Sequence, residues 1–245
     1  MAKASPAEQL LLLDLQALDS KIVKIDRAVK ALAADPEIAA AQAAVAESED
    51  ARREVAAESA AAQQALAEVE QQVEKVQARI DKDRAQIDAG RGTARDMMAL
   101  QHEIDSLLLK RGELENAELE MMEAAEEVMP RLEGATAAAD GTAAQLAQLE
   151  RGRDERVGEL ATERGHLVAE RAELAGRIDA ALLALYEKRL AQHGVGAARL
   201  FHGTSEGSGM QLAPGDLAEI RDAAADDVVY CPDSGAILVR SPEWM

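Results

Sequence analysis

The residues with the most chemical meaning in this 245-residue chain stand near its C-terminal end, in the run Cys231-Pro232-Asp233-Ser234-Gly235. A cysteine, a proline, one spacer, a second ligand and a glycine make a zinc knuckle, whose tight turn aims two thiolates at one tetrahedral ion. Here the second thiol is replaced by Ser234. Upstream, Ser205 and Ser208 occupy the spacing of the matching knuckle, so three of the four thiolates of a four-cysteine ribbon are hydroxyls and Cys231 is the lone cysteine. A neutral hydroxyl is a poor zinc ligand beside a thiolate. The expectation is therefore a ribbon kept after its metal was lost, with no cofactor, in which the serine hydroxyls and Asp233 bond the turn amides. The alternative is a residual zinc site built from His202 and Cys231 with Asp233 or water, legitimate donors that lack four-ligand knuckle spacing.

Other chemistry is thinner. Gly203-Thr204-Ser205-Glu206-Gly207-Ser208-Gly209 has the composition of a phosphate loop but not its lysine, and reads as a flexible turn. His102, His166 and His193 show no H-E-x-x-H spacing, and Cys231 has no base partner in the sequence. No catalytic residues and no small-molecule substrate are expected.

The bulk of the chain serves position rather than chemistry. Aromatics make up 2% of the residues, and Tyr186, Phe201, Tyr230 and Trp244 all fall in the last sixty positions. Any compact core belongs there; the alanine-, leucine- and glutamate-rich remainder has the composition of long helices. A formal charge of −19 opposes nucleic acid and anionic membranes and favours protein partners. One cysteine permits no internal disulfide, the first residues lack a signal core, and Leu10–Leu13 is too short to span a bilayer. A cytoplasmic location is expected.

Apolar residues recur with a period of 3.5. Leu11, Leu15, Leu18, Ile22, Ile25, Val29 and Leu32 form one seam, started by a capping box at Ser5, Pro6 and Glu8 and broken at Asp35-Pro36. A second seam runs from Ile38 to Ile87, with Ser48, Arg52, Ser59 and Asp83 as polar members. Gly90 and Gly92 end it, and Thr93 can cap the next helix. The seam resumes at Met97, Leu100, Ile104, Leu107, Leu114 and Met121, with Arg111 and Glu118 as polar members, is expected to kink at Pro130, blurs from Gly134 to Ala144 and returns through Leu185. Two arms of similar length around a double-glycine break imply an antiparallel hairpin over residues 1–189, with its tip near 89–94 and kinks near 36 and 130. An extended homodimeric coiled coil is the competing arrangement.

From about residue 190 to 245 glycine, proline and aromatics increase, marking a small α+β module. A short helix is expected over Pro214–Asp222, with Leu217 and Ile220 inward, and two strands around the 231–235 turn. The fold class is mainly α: a long kinked coiled-coil hairpin carrying a zinc-ribbon-like module. Gly194-Val195-Gly196 at the junction would permit a hinge.

The order of Leu100-Gln101-His102-Glu103-Ile104, Leu114-Glu115, Leu119-Glu120-Met121-Met122-Glu123, Leu185-Tyr186-Glu187 and Cys231-Pro232-Asp233-Ser234-Gly235 with Ile237-Leu238-Val239-Arg240 carries a resemblance over essentially the whole chain. The sequence resembles the bacterial coiled-coil hairpin plus C4-type zinc-ribbon family, which includes chlamydial and flagellar regulatory proteins, and looks most like its mycobacterial-type members. The resemblance implies a noncatalytic adaptor whose relatives bind regulatory or secretion proteins and, in some cases, RNA. It places the family's zinc ligands at Ser205, Ser208, Cys231 and Ser234, where this chain departs at three of four.

Two surfaces are candidates for binding partners. At the tip Arg91, Arg95, Met97 and Met98 flank exposed turn backbone, although any hairpin tip needs polar residues and glycine. On the C-terminal module Phe201, Arg240 and Trp244 are interface-type residues, although Trp244 has equal reason to pack the terminus. Nucleic-acid binding through the ribbon is the alternative function; four arginines against eight acids from Arg189 onward disfavour it.

Overall fold

The computed structural model describes residues 2–241 and residue 244. Glu243, counted among the acids of the C-terminal module, lies outside them. Helix α1 (Pro6–Ala33) starts where the sequence places it: the Ser5 hydroxyl accepts the Glu8 amide, and the Glu8 carboxylate accepts the Ser5 amide in return. The chain breaks at Ala34-Asp35, and α2 (Pro36–Asp88) begins with proline at its first position. Gly90 and Gly92, both at positive φ, turn the chain at the tip. Thr93 then caps α3 (Ala94–Ala175): its hydroxyl accepts the Asp96 amide at 3.3 Å, and the Asp96 carboxylate accepts the Thr93 amide at 2.9 Å.

The long helices form the hairpin. Helix α3 runs unbroken through Pro130 and the Gly134–Ala144 stretch, so the expected kink does not divide it. Pro130 is solvent-exposed, where water can take the carbonyl that its missing N–H leaves free. A different break ends the helix earlier than its periodicity suggests. Gly176 to Ile178 close it with turns onto Ala172, Leu174 and Ala175, and the Asp179 carboxylate caps the amides of Ala181 and Leu182 to start α4 (Ala180–His193).

The chain divides into two units, Met1–Asp35 with Gly152–Met245, and Pro36–Arg151. In the second, α2 and α3 pair antiparallel: Ser48 bonds Thr142 at 2.7 Å, Glu58 pairs with Arg131 at 2.8 Å and Gln77 bonds Arg111 at 2.6 Å. Ile80, Ile104, Leu114 and Ala139 are buried in its seam. In the first, Leu18, Ile22 and Ile25 of α1 pack on Leu160 and Leu167 of α3.

The C-terminal module is built on a five-stranded mixed sheet of order β3-β2-β1-β5-β4, from β1 (Ala197–Phe201), β2 (Thr204–Ser205), β3 (Met210–Gln211), β4 (Val229–Tyr230) and β5 (Ile237–Arg240). Strands β1 and β5 are parallel; the other pairs are antiparallel. Helix α5 (Pro214–Asp222) covers one face with Ile220 and Leu217, against Leu200, Leu212, Cys231 and Leu238. The other face carries Ala197, Ile237 and Val239 onto Leu12 and Leu15 of α1 and Leu182 and Tyr186 of α4. The N-terminal residues join the module too: Ala4 donates to the Asp226 carbonyl, and Val228 to that of Ala2.

Candidate functional site

The two serine-bearing turns meet. His202 and Gly203, both with φ in the left-handed region, connect β1 to β2 as a two-residue hairpin turn, because only such a turn matches the strand twist. That placement brings Ser205 and Ser208 opposite the 231–235 turn. Gly207 lies so close to it that a Cβ there would stand 2.8 Å from Ala198 Cβ and 3.3 Å from Ser234 Oγ. Gly235, at φ 68°, is pressed under the His193 ring, with 2.6 Å between a built Cβ and Nε2.

Cys231 is the hub. Its sulfur accepts the Ser234 amide at 3.4 Å and reaches Ser208 Oγ at 4.0 Å, while Ser234 Oγ accepts the Ala236 amide. The turn is closed by backbone bonds from Gly235 to the Cys231 carbonyl and from Cys231 to the Ala236 carbonyl. The Ser205 hydroxyl is fully buried and faces the same sulfur without reaching hydrogen-bond geometry. Burial pushes the thiol pKa up, but the Ser205 and Ser234 hydroxyls and the turn amides outweigh it and hold the value below that of an ordinary cysteine.

One sulfur and three hydroxyls do not fit zinc, and among the described residues no three His, Cys, Asp or Glu side chains gather where a metal ion would be held. His202 is exposed in its turn, edge-on to Phe201 at 4.2 Å between ring centroids.

A polar cluster that sequence reading missed adds to the packing that holds the module to the base of the hairpin. Tyr186, fully buried on α4, donates to Asp19 of α1 at 2.7 Å, and the Arg171 guanidinium binds both Asp19 oxygens at 2.7 and 3.3 Å. Gln16, one turn before Asp19, accepts the backbone amides of Gly196 and Ala197 at 2.7 and 3.2 Å. Gly196 lies flat against the Tyr186 ring, where a Cβ would come within 2.5 Å. Both junction glycines have local roles: Gly194 is the left-handed C-cap of α4, and Gly196 is a close approach. Burial, then the bond to Asp19, raise the Tyr186 phenol far above its ordinary value.

The candidate partner-binding residues separate. Arg91, Arg95 and Met98 are exposed at the tip and Met97 is half-buried. Arg240 is a brace: its guanidinium donates to the carbonyls of Ile220, Ala223, Ala224, Ala225 and Asp227, tying α5 and the loop after it to β5. Trp244 packs against the Leu200–Leu238 cluster, and its carbonyl accepts the Gly203 amide. Phe201 lies under the Arg199 guanidinium at 4.6 Å.

A coiled-coil hairpin whose base carries a ribbon-like sheet defines the class. Residues 15–194 match the CT398-like coiled-coil hairpin domain and residues 204–238 a C4-type zinc ribbon domain, and the chain belongs to the CT398-like coiled-coil hairpin family. It is 34% identical over 241 residues to the Mycobacterium tuberculosis protein Rv2229c, described as uncharacterized, with 97% of each chain covered. It is similar to a solved structure from Mycobacterium smegmatis, at 33% identity and TM-score 0.70 over 97% of this chain and all of that one. The fold is also that of CT398 from Chlamydia trachomatis, at 20% identity and TM-score 0.63 over 96% of this chain and 98% of that one. Among the described residues no helix is long and apolar enough to cross a membrane.

Proposed function

We infer that the protein is a noncatalytic adaptor that presents its hairpin and a metal-free ribbon to protein partners. The observation that carries this reading is the Cys231 site, where the two knuckle turns are kept and joined while hydroxyls stand at three ligand positions. The Cys231 sulfur and the Ser234 hydroxyl hold turn amides, and Cys231 is not paired with a base as a nucleophile needs. The ribbon is instead supported by packing on both faces of its sheet and by Gln16 of α1, which accepts the Gly196 and Ala197 amides. Nucleic-acid binding is the weaker reading. Arg240 is committed to carbonyls, Arg189 lies over Tyr230 and Arg199 over Phe201, and eight acids accompany the module's four arginines, which opposes a phosphate-binding face.

The test is capture of tagged full-length protein from native lysate with and without nuclease, followed by mass spectrometry and sequencing of bound nucleic acid. Protein partners that survive nuclease and are lost on deleting the tip or on substituting exposed ribbon residues support the adaptor. Partners lost to nuclease, with RNA or DNA retained before it, overturn it.

A further inference from the structure

Helix α3 meets α2 along a seam that includes Met97, Leu100, Ile104, Leu107, Leu114 and Met121. The residue before each seam position is turned roughly 100° one way about the helix axis and the residue after it the same amount the other way. These two flanks differ in chemistry. On the preceding side Glu103 pairs with Arg79 of α2 and Arg131 with Glu58, each at 2.8 Å. On the following side stand Met98, Leu108, Leu119, Met122 and Met129, with Met98 65% and Leu119 58% exposed. Leu109, 75% exposed, extends the apolar strip around the helix.

The charges on that following side are Asp105, Glu115, Glu126 and Glu133, with no lysine or arginine among them from Met98 to Glu133. Glu115 is paired with Arg111 of the seam, whereas Glu126 and Glu133 have no ion-pair partner among the described residues. Gly112 sits midway on the same side, where an added Cβ would meet nothing within 4 Å. The hairpin therefore does not require glycine there, although glycine inside a helix costs about 1 kcal/mol relative to alanine. Its missing side chain leaves a notch between Leu108 and Leu119.

We propose that this flank of α3, from Met98 to Met129, is a docking groove for an amphipathic helix of a partner protein, with apolar residues at heptad spacing and lysine or arginine beside them. The proposal rests on the adaptor reading and names its surface and the chemistry of its partner. A second copy of this chain would bring the same acids against each other, and anionic lipid or nucleic acid would be repelled. A basic helix satisfies both components of the strip, burying leucine and methionine while neutralising Glu126 and Glu133. The strip is about 45 Å long at ~1.5 Å per residue, so it accommodates roughly four heptads.

The probe is a labelled four-heptad peptide, leucine at its seam positions and lysine or arginine beside them, titrated with the full chain at physiological salt. The expected result is saturable binding weakened at least tenfold by L119S/M122S/M129S, with helicity and melting temperature unchanged, and weakened more by E126Q/E133Q than by E120Q/E127Q on the opposite side. Equal loss from both glutamine pairs, or no loss from the serine triple, overturns the groove. So does a wild-type dimer in sedimentation that the serine triple converts to monomer.

A photo-crosslinking residue placed in turn at Leu119, Arg95 and Phe201, in native lysate, separates this proposal from the reading beneath it. Crosslinks from Leu119 to a basic helical segment support the groove. Protein crosslinks from Arg95 or Phe201 alone overturn the groove and keep the adaptor, and no protein crosslink from any position overturns both.

Discussion

At the scale of single residues, the close contacts around Cys231 and Tyr186 make single substitutions informative. If Ser205, Ser208, Cys231 and Ser234 hold the four ribbon positions, S205C/S208C/S234C should bind one cobalt ion per chain with the absorption of a tetrahedral thiolate site, and the natural chain should not. Absence of that spectrum in a folded triple variant rejects the assignment. Gly196→Ala forces a methyl into the Tyr186 ring and should cost about 1–3 kcal/mol as overpacking, measured by chemical denaturation. Tyr186→Phe leaves Asp19 with Arg171 alone and should cost about 1–2 kcal/mol. Because the folded-state phenol pKa is raised, its contribution is fully present below the unfolded value of about 10 and is lost as pH rises beyond it. The alkaline limb of a stability–pH curve should therefore flatten in Tyr186→Phe.

Elements show how local chemistry sets boundaries. The caps at Ser5 and Thr93 are visible in sequence because both partners lie three residues apart. Thr93→Ala should cost about 1 kcal/mol locally and speed hydrogen exchange in the first turn of α3 without affecting the ribbon. The Asp179 cap was equally local, yet the heptad continuing through Leu174, Ile178 and Ala181 masked it. Pro130 ends no element, because its solvent exposure lets the helix continue through it.

For the whole molecule, antiparallel pairing within one chain is the consequential feature. In a Cys231→Ser background, S48C/T142C should oxidise to an intrachain crosslink, seen as faster migration without a dimer band, since the wild-type hydroxyls are 2.7 Å apart. An interchain product would favour the extended homodimer. With a net charge of −19 the folded chain also repels itself, so raising salt from low to physiological ionic strength should raise the melting temperature.

The sequence by itself determined the long heptad helices, the double-glycine turn between them, the break at Asp35-Pro36 and the serine-substituted knuckles, because each is written in neighbouring residues or in a period repeated over many turns. Helix α5 and the strands flanking Cys231 were legible for the same reason. Only the tertiary structure decided that Gln16 and Asp19 of α1 reach Gly196 and Tyr186, that β1 and β5 run parallel, and that Arg240 braces carbonyls rather than standing free. The same is true of the two chemically different flanks of α3, since exposure depends on where α2 lies. These contacts join residues as much as 180 positions apart, and no local propensity or spacing encodes which distant groups will meet.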